Sequence, residues 1–490
     1  MPGGRPLGED IEVDVCVVGA GIAGISTAYR LAREGKRVAV LDAGPVGGGE
    51  TSRTTAHLAS AVDDRFTEIE RLHGLDGSRI CADSHARAID AIEEAVRAER
   101  LACDFERLDG YLFEGGDDSG VSLAEELEAA RRAGVAGVVR LRRTPVERLD
   151  ASCLLFPRQG QFHPLKYLAG LAHAIVRDGG RLHPETLVRD VEEDRPARVV
   201  TKAGPVVTAD SVVVATNAPF IDRFAIHSKQ APYRTYSIAA RVPRGSVPHG
   251  LYWDTMDPYH YVRLAPSAAD EDLLIVGGED RKPGDDADDE ERLEELERWT
   301  RERFPVSELR YRWAGQVMEP IDGVAFIGRN PGRHENIYVA TGDSGMGMTH
   351  GTIAGLLITD LIMERENPWA RLYDPSRVTL GALGRFLRDG ASVVGTLAEW
   401  FKSGDVASVD EIAPGSGAIL RRGISKVAVY RDREGRLHER TAACTHLGCV
   451  VAWNPVAGSW DCPCHGSRFD PYGRVLAGPA VADLKPPSAS

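Results

Sequence analysis

The stretch VDVCVVGAGIAGISTAYRLAREGKRVAVLD, residues 13 to 42, decides the fold. Val13 to Val18 is a short apolar, β-branched run, the composition of a buried strand. Gly19-Ala20-Gly21-Ile22-Ala23-Gly24 follows, then an amphipathic stretch through Leu31. A second apolar run from Lys36 to Leu41 is closed by Asp42. Strand, glycine turn, helix, strand and acid in this order form a dinucleotide-binding fingerprint in its proper setting. Gly19 permits the tight turn, Gly21 lets the backbone approach a pyrophosphate, and Gly24 lets the helix lie close on the strand. The helix start then aims unpaired N–H groups at the phosphates. Asp42 can accept from ribose hydroxyls, and its charge disfavours a 2′-phosphate.

Two kinds of dinucleotide fit a fingerprint of this sort, and the residues beyond it favour a flavin. Gly47-Gly-Gly-Glu-Thr-Ser52-Arg53-Thr54-Thr55-Ala-His57-Leu58 is rich in glycine and hydroxyls, so it can run beneath a flavin and offer it donors. Ser211-Val-Val-Val-Ala215-Thr216-Asn217 reads as a buried strand ending in small residues. Asn336 to Gly351 is a further strand, glycine turn and helix start, containing Gly342, Gly345, Met346, Gly347 and Met348. It lacks the spacing of a second fingerprint. Its helix N-terminus would instead face a developing anion such as a reduced flavin ring.

Taken in order, with His163-Pro-Leu between them, these stretches resemble the D-amino-acid oxidase-like family of FAD-dependent oxidoreductases over residues 11 to 372. The resemblance implies a discontinuous α/β FAD domain (11–85, 150–220 and 320–372). It implies an α+β substrate domain (86–149 and 221–319) whose antiparallel sheet covers the flavin. Leu251-Tyr-Trp, His260 to Leu264 and Asp272 to Val276 read as strands of that sheet. By the same likeness the cofactor is held by Gly19, Ala20, Gly21, Ala23, Gly24, Asp42 and Ala43, with Val188 at the adenine. Ser52, Arg53, Thr54, Thr55, His57, Ala215, Thr216 and the 342–348 turn lie along the rest of it. Two departures stand out. Thr54 occupies the position of the histidine that attaches FAD in some relatives, and Arg312 to Pro320 holds no cysteine, so noncovalent FAD is expected. No arginine clearly matches the family's clamp for a substrate carboxylate. His57, Tyr261 and Arg263 are the candidate catalytic residues.

Glu279 to Glu297 is rich in Asp and Glu over leucines at helical spacing (Leu293, Leu296, then Trp299), the pattern of a solvated helix face over a core stripe. Residues 373–408 read as a helical linker. Leu380, Leu383, Phe386, Leu387, Val394, Leu397, Trp400 and Phe401 would dock on the FAD domain, and Gly404 to Ser408 would act as a hinge. From about residue 409 to 490 short strands and turns mark a small all-β module.

That module contains Cys444-x-His446 and Cys462-x-x-His465, with Cys449 and Cys464 interleaved. Zinc could take two Cys and two His. A [2Fe–2S] centre with two Cys on one iron and two His on the other also fits. CTHLGC and CPCHGS resemble both ligand loops of Rieske proteins. The likeness implies Cys444, His446, Cys462 and His465 as cluster ligands and a Cys449–Cys464 disulfide joining the loops. High-potential Rieske proteins carry a tyrosine where Phe469 stands, so a lower potential is expected.

The whole chain has 490 residues, 27% charged, with a formal net charge of −14, which argues against a nucleic-acid binder. No apolar run reaches membrane-spanning length and no secretory signal is evident, so a cytoplasmic protein without membrane association is expected. The simplest combined function is an amine or amino-acid dehydrogenase. Electrons would pass from a small-molecule substrate to FAD, to the cluster, and to an external acceptor. The alternatives are inward flow from a redox donor, making a reductase or flavin oxygenase, and a plain oxidase with a structural or sensor cluster. A single fingerprint weakens an NAD(P)H-dependent ferredoxin reductase, and no 2-His-1-carboxylate site supports a Rieske oxygenase.

Overall fold

The structure, a computed structural model, describes residues 4–116, 122–192, 194–221, 226–267, 270–283, 289–332, 335–382 and 399–487. The opening apolar run forms strand Ile11–Val18 at the centre of an eight-stranded sheet. It pairs in parallel with Val206–Val214 on one side and Val38–Leu41 on the other. Ile337–Thr341 and Arg181–His183 extend the sheet outward, also in parallel. Phe326–Arg329 closes one edge antiparallel, and the hairpin Val188–Glu192/Ala197–Thr201 hangs from Val206–Val214. Covered on both faces, the inner strands are continuous valine-rich runs and show no alternation. Helix Ile22–Arg33 packs beside Pro164–Arg177 and Gly347–Ile362. The last of these comes close because Gly351 and Gly355 face Ile22, Ala23 and Ser26 with no Cβ between them.

A nine-stranded sheet forms the second layer, in the order Glu308–Pro320, Gln230–Pro243, Glu271–Arg281, His260–Pro266, Leu251–Asp254, Glu106–Phe113, Cys153–Gln161, His57–Leu58. Val139–Leu141 lies beside Cys153–Gln161. It is antiparallel except where Leu251–Asp254 meets Glu106–Phe113. Two of its strands, His57–Leu58 and Cys153–Gln161, come from segments that sequence reasoning places in the FAD domain. The glycine-rich loop therefore starts at one sheet and ends in the other. Behind the second sheet, Leu293 and Leu296 of helix Asp289–Arg303 bury their side chains, the core stripe expected there.

The acidic run is only partly a solvated face. Glu279 and Asp280 end strand Glu271–Arg281, and residues 284–288 lie outside the described residues. Glu279 is buried between His260 and Arg292 (3.1 and 3.0 Å), and Asp289 is buried against Arg234 at 2.7 Å. His260 and Arg234 reach those acids from other strands, which local composition does not reveal, while Arg292 comes from the helix of the run itself.

The C-terminal module has a three-stranded antiparallel sheet (Ser416–Arg422, Ser425–Arg431, Leu437–Thr441). A four-stranded sheet (Ala452–Asn454, Ser459–Asp461, Arg468–Phe469, Val475–Ala477) lies around Trp460 and Phe469. Of the expected linker face, Leu383, Phe386, Leu387, Val394 and Leu397 fall outside the described residues. Trp400 packs on the C-terminal core, donating from Nε1 to the Gly448 carbonyl at 3.1 Å, and Phe401 is exposed. The stretch expected as a hinge is tied down: Asp405 N–H donates to Ile419 O, and the Asp405 carboxylate accepts from Ile419 N–H. No helix among the described residues is long and apolar enough to cross a membrane.

Candidate functional site

A long cavity opens where the two sheets meet, at the C-terminal ends of the parallel strands. Gly19 turns with φ of 108°, and a Cβ on Gly24 would overlap the Gly19 carbonyl, so helix and turn touch through glycine alone. No side chain caps the helix that starts at Ile22, and Thr51 Oγ1 accepts only the first N–H, at 3.1 Å. Helix Gly347–Ile362 likewise begins at the cavity with no side-chain cap. Two helix N-termini left open on one cavity suit an anionic dinucleotide. Asp42 is fixed by the N–H groups of Ala20 (2.6 Å) and Gly44 (2.8 Å), while burial pushes its pKa up. Gly19, Gly21, Ala23, Asp42 and Ala43 line this end, with Val188 beyond them. Arg53, Thr54, Thr55 and His57 line it along the loop, and Ala215, Thr216, Gly342 and Gly345 to Met348 complete it. Three expected residues stand behind the wall. Ala20 and Gly24 serve the turn, and Ser52 donates to the Gly49 carbonyl at 2.8 Å.

The sheet face of the cavity is acidic and aromatic. Asp63 accepts from the Tyr259 hydroxyl at 2.6 Å, and burial pushes its pKa up to about 6. Gly345, with φ of 69°, gives that carboxylate room, since a Cβ there would overlap it. Burial likewise raises Asp280 to about 7 and Asp343 to about 6, opposed by hydrogen bonds from Thr235 and from the Met318 N–H. Tyr261 lies across Gly277 and bonds Thr235 at 2.8 Å. His57 meets Tyr261 edge-on, and burial with the Arg263 charge lowers its pKa to about 3, so it is neutral. Arg263 does not reach the cavity. Its guanidinium is buried behind the wall and donates to the carbonyls of Thr55 and Leu264. Among the described lining residues the one Lys or Arg side chain is Arg53, which donates to the Ala314 carbonyl.

In the C-terminal module, Cys444 and Cys462 lie within hydrogen-bond reach of each other. The rings of His446 and His465 are 5.0 Å apart and perpendicular. His465 Nδ1 is buried with no hydrogen-bond partner, an orphan that a metal would satisfy. A disulfide joins Cys449 and Cys464. A pair of neighbouring thiols and a pair of neighbouring imidazoles fit a [2Fe–2S] centre with Cys on one iron and His on the other.

This cluster site is pressed against the cavity. Gln316, on strand Glu308–Pro320, lines the cavity and donates from Nε2 to the carbonyl of Gly466, the residue after His465, at 3.1 Å. Its Oε1 accepts from Asn217, another lining residue, at 3.2 Å, and its N–H donates to Glu50 at 2.7 Å. Arg468 pairs with Glu50 at 2.6 Å, and Arg234 bridges Asp289 and Asp461 at 2.7 and 2.9 Å, all buried or nearly so. His227 lies 5.2 Å from the rings of both His446 and His465 and donates from Nε2 to Pro219 O at 2.7 Å. Asp63, Asp280, Tyr259, Asn217, Gln316 and His227 escaped sequence reasoning. The only local signal was Asp280, an acid ending an apolar strand after two glycines.

Residues 14–361 match the family described as FAD dependent oxidoreductase, and residues 402–488 match the Rieske [2Fe-2S] domain. The Rieske 2Fe-2S iron-sulfur protein YhfW of Bacillus subtilis (strain 168) is 32% identical over 487 residues, spanning 99% of this chain and 95% of its own. The gamma-glutamylputrescine oxidoreductase of Escherichia coli (strain K12) is 30% identical over 385 residues, 75% of this chain and 88% of its own. Among solved structures, glycine oxidase from Geobacillus kaustophilus superimposes with a TM-score of 0.63 at 20% identity, over 75% of this chain and 99% of that one. The chain belongs to the FAD-dependent oxidoreductase family and carries a C-terminal Rieske [2Fe–2S] domain.

Proposed function

We propose that the protein oxidises a C–N bond of an amine and that the electrons leave through the Rieske domain to an external acceptor. The observation that carries the outlet is Gln316, a single side chain that lines the cavity and holds the ligand loop at Gly466. Bound FAD supplies a two-electron acceptor for the substrate, and the cluster supplies a one-electron carrier. The chain's own residues do the rest. Asp63 and Asp280 offer negative charge to a substrate ammonium, and either can take its proton near neutral pH, where their raised pKa values place them. Tyr259, Tyr261 and neutral His57 form the wall that positions the carbon beside the flavin. The resulting imine hydrolyses to a carbonyl compound in water. A wall without an arginine clamp favours amines over α-amino acids.

To test this, the anaerobic protein is mixed with a panel of primary amines, secondary amines and α-amino acids, and flavin bleaching is followed. Bleaching by amines, with the carbonyl product identified, supports the reading. Bleaching only by a reduced ferredoxin-type donor contradicts it and makes inward electron flow the function.

A further inference from the structure

The Rieske domain does more than lie near the FAD cavity, because a segment of it builds the cavity wall. Val475, Leu476, Ala477, Gly478, Ala480 and Val481 line the same cavity as Thr186 to Val188 and Thr216. The segment is fixed at both ends. At its start, the Val475 N–H donates to Asp483 Oδ1 at 3.1 Å, and Asp483 Oδ2 pairs with Lys202 of the FAD domain at 3.0 Å. The Lys202 N–H donates to the carbonyl of Leu187, itself a lining residue, at 2.7 Å. At its end, the Ala480 N–H donates to Ser467 Oγ at 3.0 Å, and Ser467 lies two residues past the cluster ligand His465. Gly478 passes so close to Ala218 that a Cβ there would lie 3.3 Å from its carbonyl. Leu476 borders the cavity with 52% of its surface open, which leaves apolar area to offer a ligand.

We infer that Val475 to Val481 is a lid on the FAD site at its Thr186–Val188 end, so that FAD binding and docking of the Rieske domain stabilise each other. A site closed by a second domain binds its ligand more tightly in the docked arrangement. Linkage then makes the effect reciprocal: FAD holds the Rieske domain in place by the same factor by which the docked domain tightens FAD. The inference concerns cofactor retention and is independent of the direction of electron flow.

The test uses the full-length, cluster-loaded protein stripped of FAD. FAD is titrated back and followed by quenching of flavin fluorescence, with the cluster spectrum confirming that each variant keeps its Rieske fold. Leu476→Asp places a charge on the lid, and about tenfold weaker FAD binding is expected. Lys202→Glu, in the FAD domain, and Asp483→Lys, in the Rieske domain, should each weaken binding about fivefold, and the double exchange should restore it. Added FAD should also raise the temperature at which heating bleaches the cluster in the unaltered protein, and fail to do so in Leu476→Asp. FAD affinity within twofold of the unaltered protein in all three single variants, with cluster bleaching indifferent to FAD, would overturn the lid.

Discussion

Asp63 carries the substrate side of the account. Its carboxylate is buried against the Tyr259 hydroxyl and faces no Lys or Arg among the described lining residues. Burial raises its folded pKa from 3.8 to about 6. The share of stability from this group is therefore fully present below its unfolded value and is lost as pH rises through about 6. Asp63→Asn should gain on the parent between pH 4 and 6, by at most about 3 kcal/mol, measured by thermal unfolding without substrate. Activity should move the other way. For a cationic amine, kcat/KM should rise with pH as Asp63 ionises, and Asp63→Asn should lose about 10- to 100-fold with that limb of the profile. An unchanged profile would remove Asp63 from the site. At the cluster, Phe469 is fully buried two residues past Ser467, which reaches Cys444. Phe469→Tyr should raise the cluster potential in a redox titration followed by its paramagnetic signal, since a hydroxyl there can donate to a ligand sulfur. Sequence alone singled out Cys444, His446, Cys462 and His465 as candidate ligands because they sit in two short motifs, with Phe469 just after the second. It hid Asp63, whose partners Tyr259 and Gly345 lie some two hundred residues and more away in the chain.

The elements that matter most are strand Glu308–Pro320 and the glycine-rich loop before His57–Leu58. Each touches both the cavity and the Rieske domain, through Gln316 and Glu50. Arg468→Ala would leave Glu50 without its cationic partner at a nearly dry interface, while Asp461 keeps Arg234. A loss of about 3–5 kcal/mol is expected, seen by calorimetry as the Rieske domain melting apart from the rest. A single transition at the parent's temperature would show that the contact does not hold the domains. The two sheets differ in legibility for a physical reason. The parallel strands are continuous buried runs with glycine turns, and the fingerprint announced them. The nine-stranded sheet assembles strands spread from residue 57 to residue 320, and no local pattern records the pairing of His57–Leu58 with Cys153–Gln161. The same holds for the acidic run, where His260 and Arg234 of other strands meet Glu279 and Asp289.

At the scale of the molecule, two modules that the sequence presents as beads on a string are joined by buried ion pairs, by the Gln316 bridge and by a shared cavity wall. Composition and motif spacing reveal the modules but not this junction. Its residues (Asn217, Gln316, Arg468, Val475 to Val481) have meaning only once the two surfaces meet. The junction is what the proposed electron outlet rests on. The most direct test is anaerobic stopped-flow mixing with an amine that bleaches the flavin, following flavin and cluster absorbance separately in the parent and in Gln316→Ala. The account expects flavin reduction first and cluster reduction after it, at least as fast as turnover. In the variant, flavin reduction should be unchanged and the second phase slowed by up to about 10²-fold, because the ligand loop has lost its anchor. A cluster that stays oxidised while the flavin is fully reduced, or that is reduced equally fast in the variant, would contradict it.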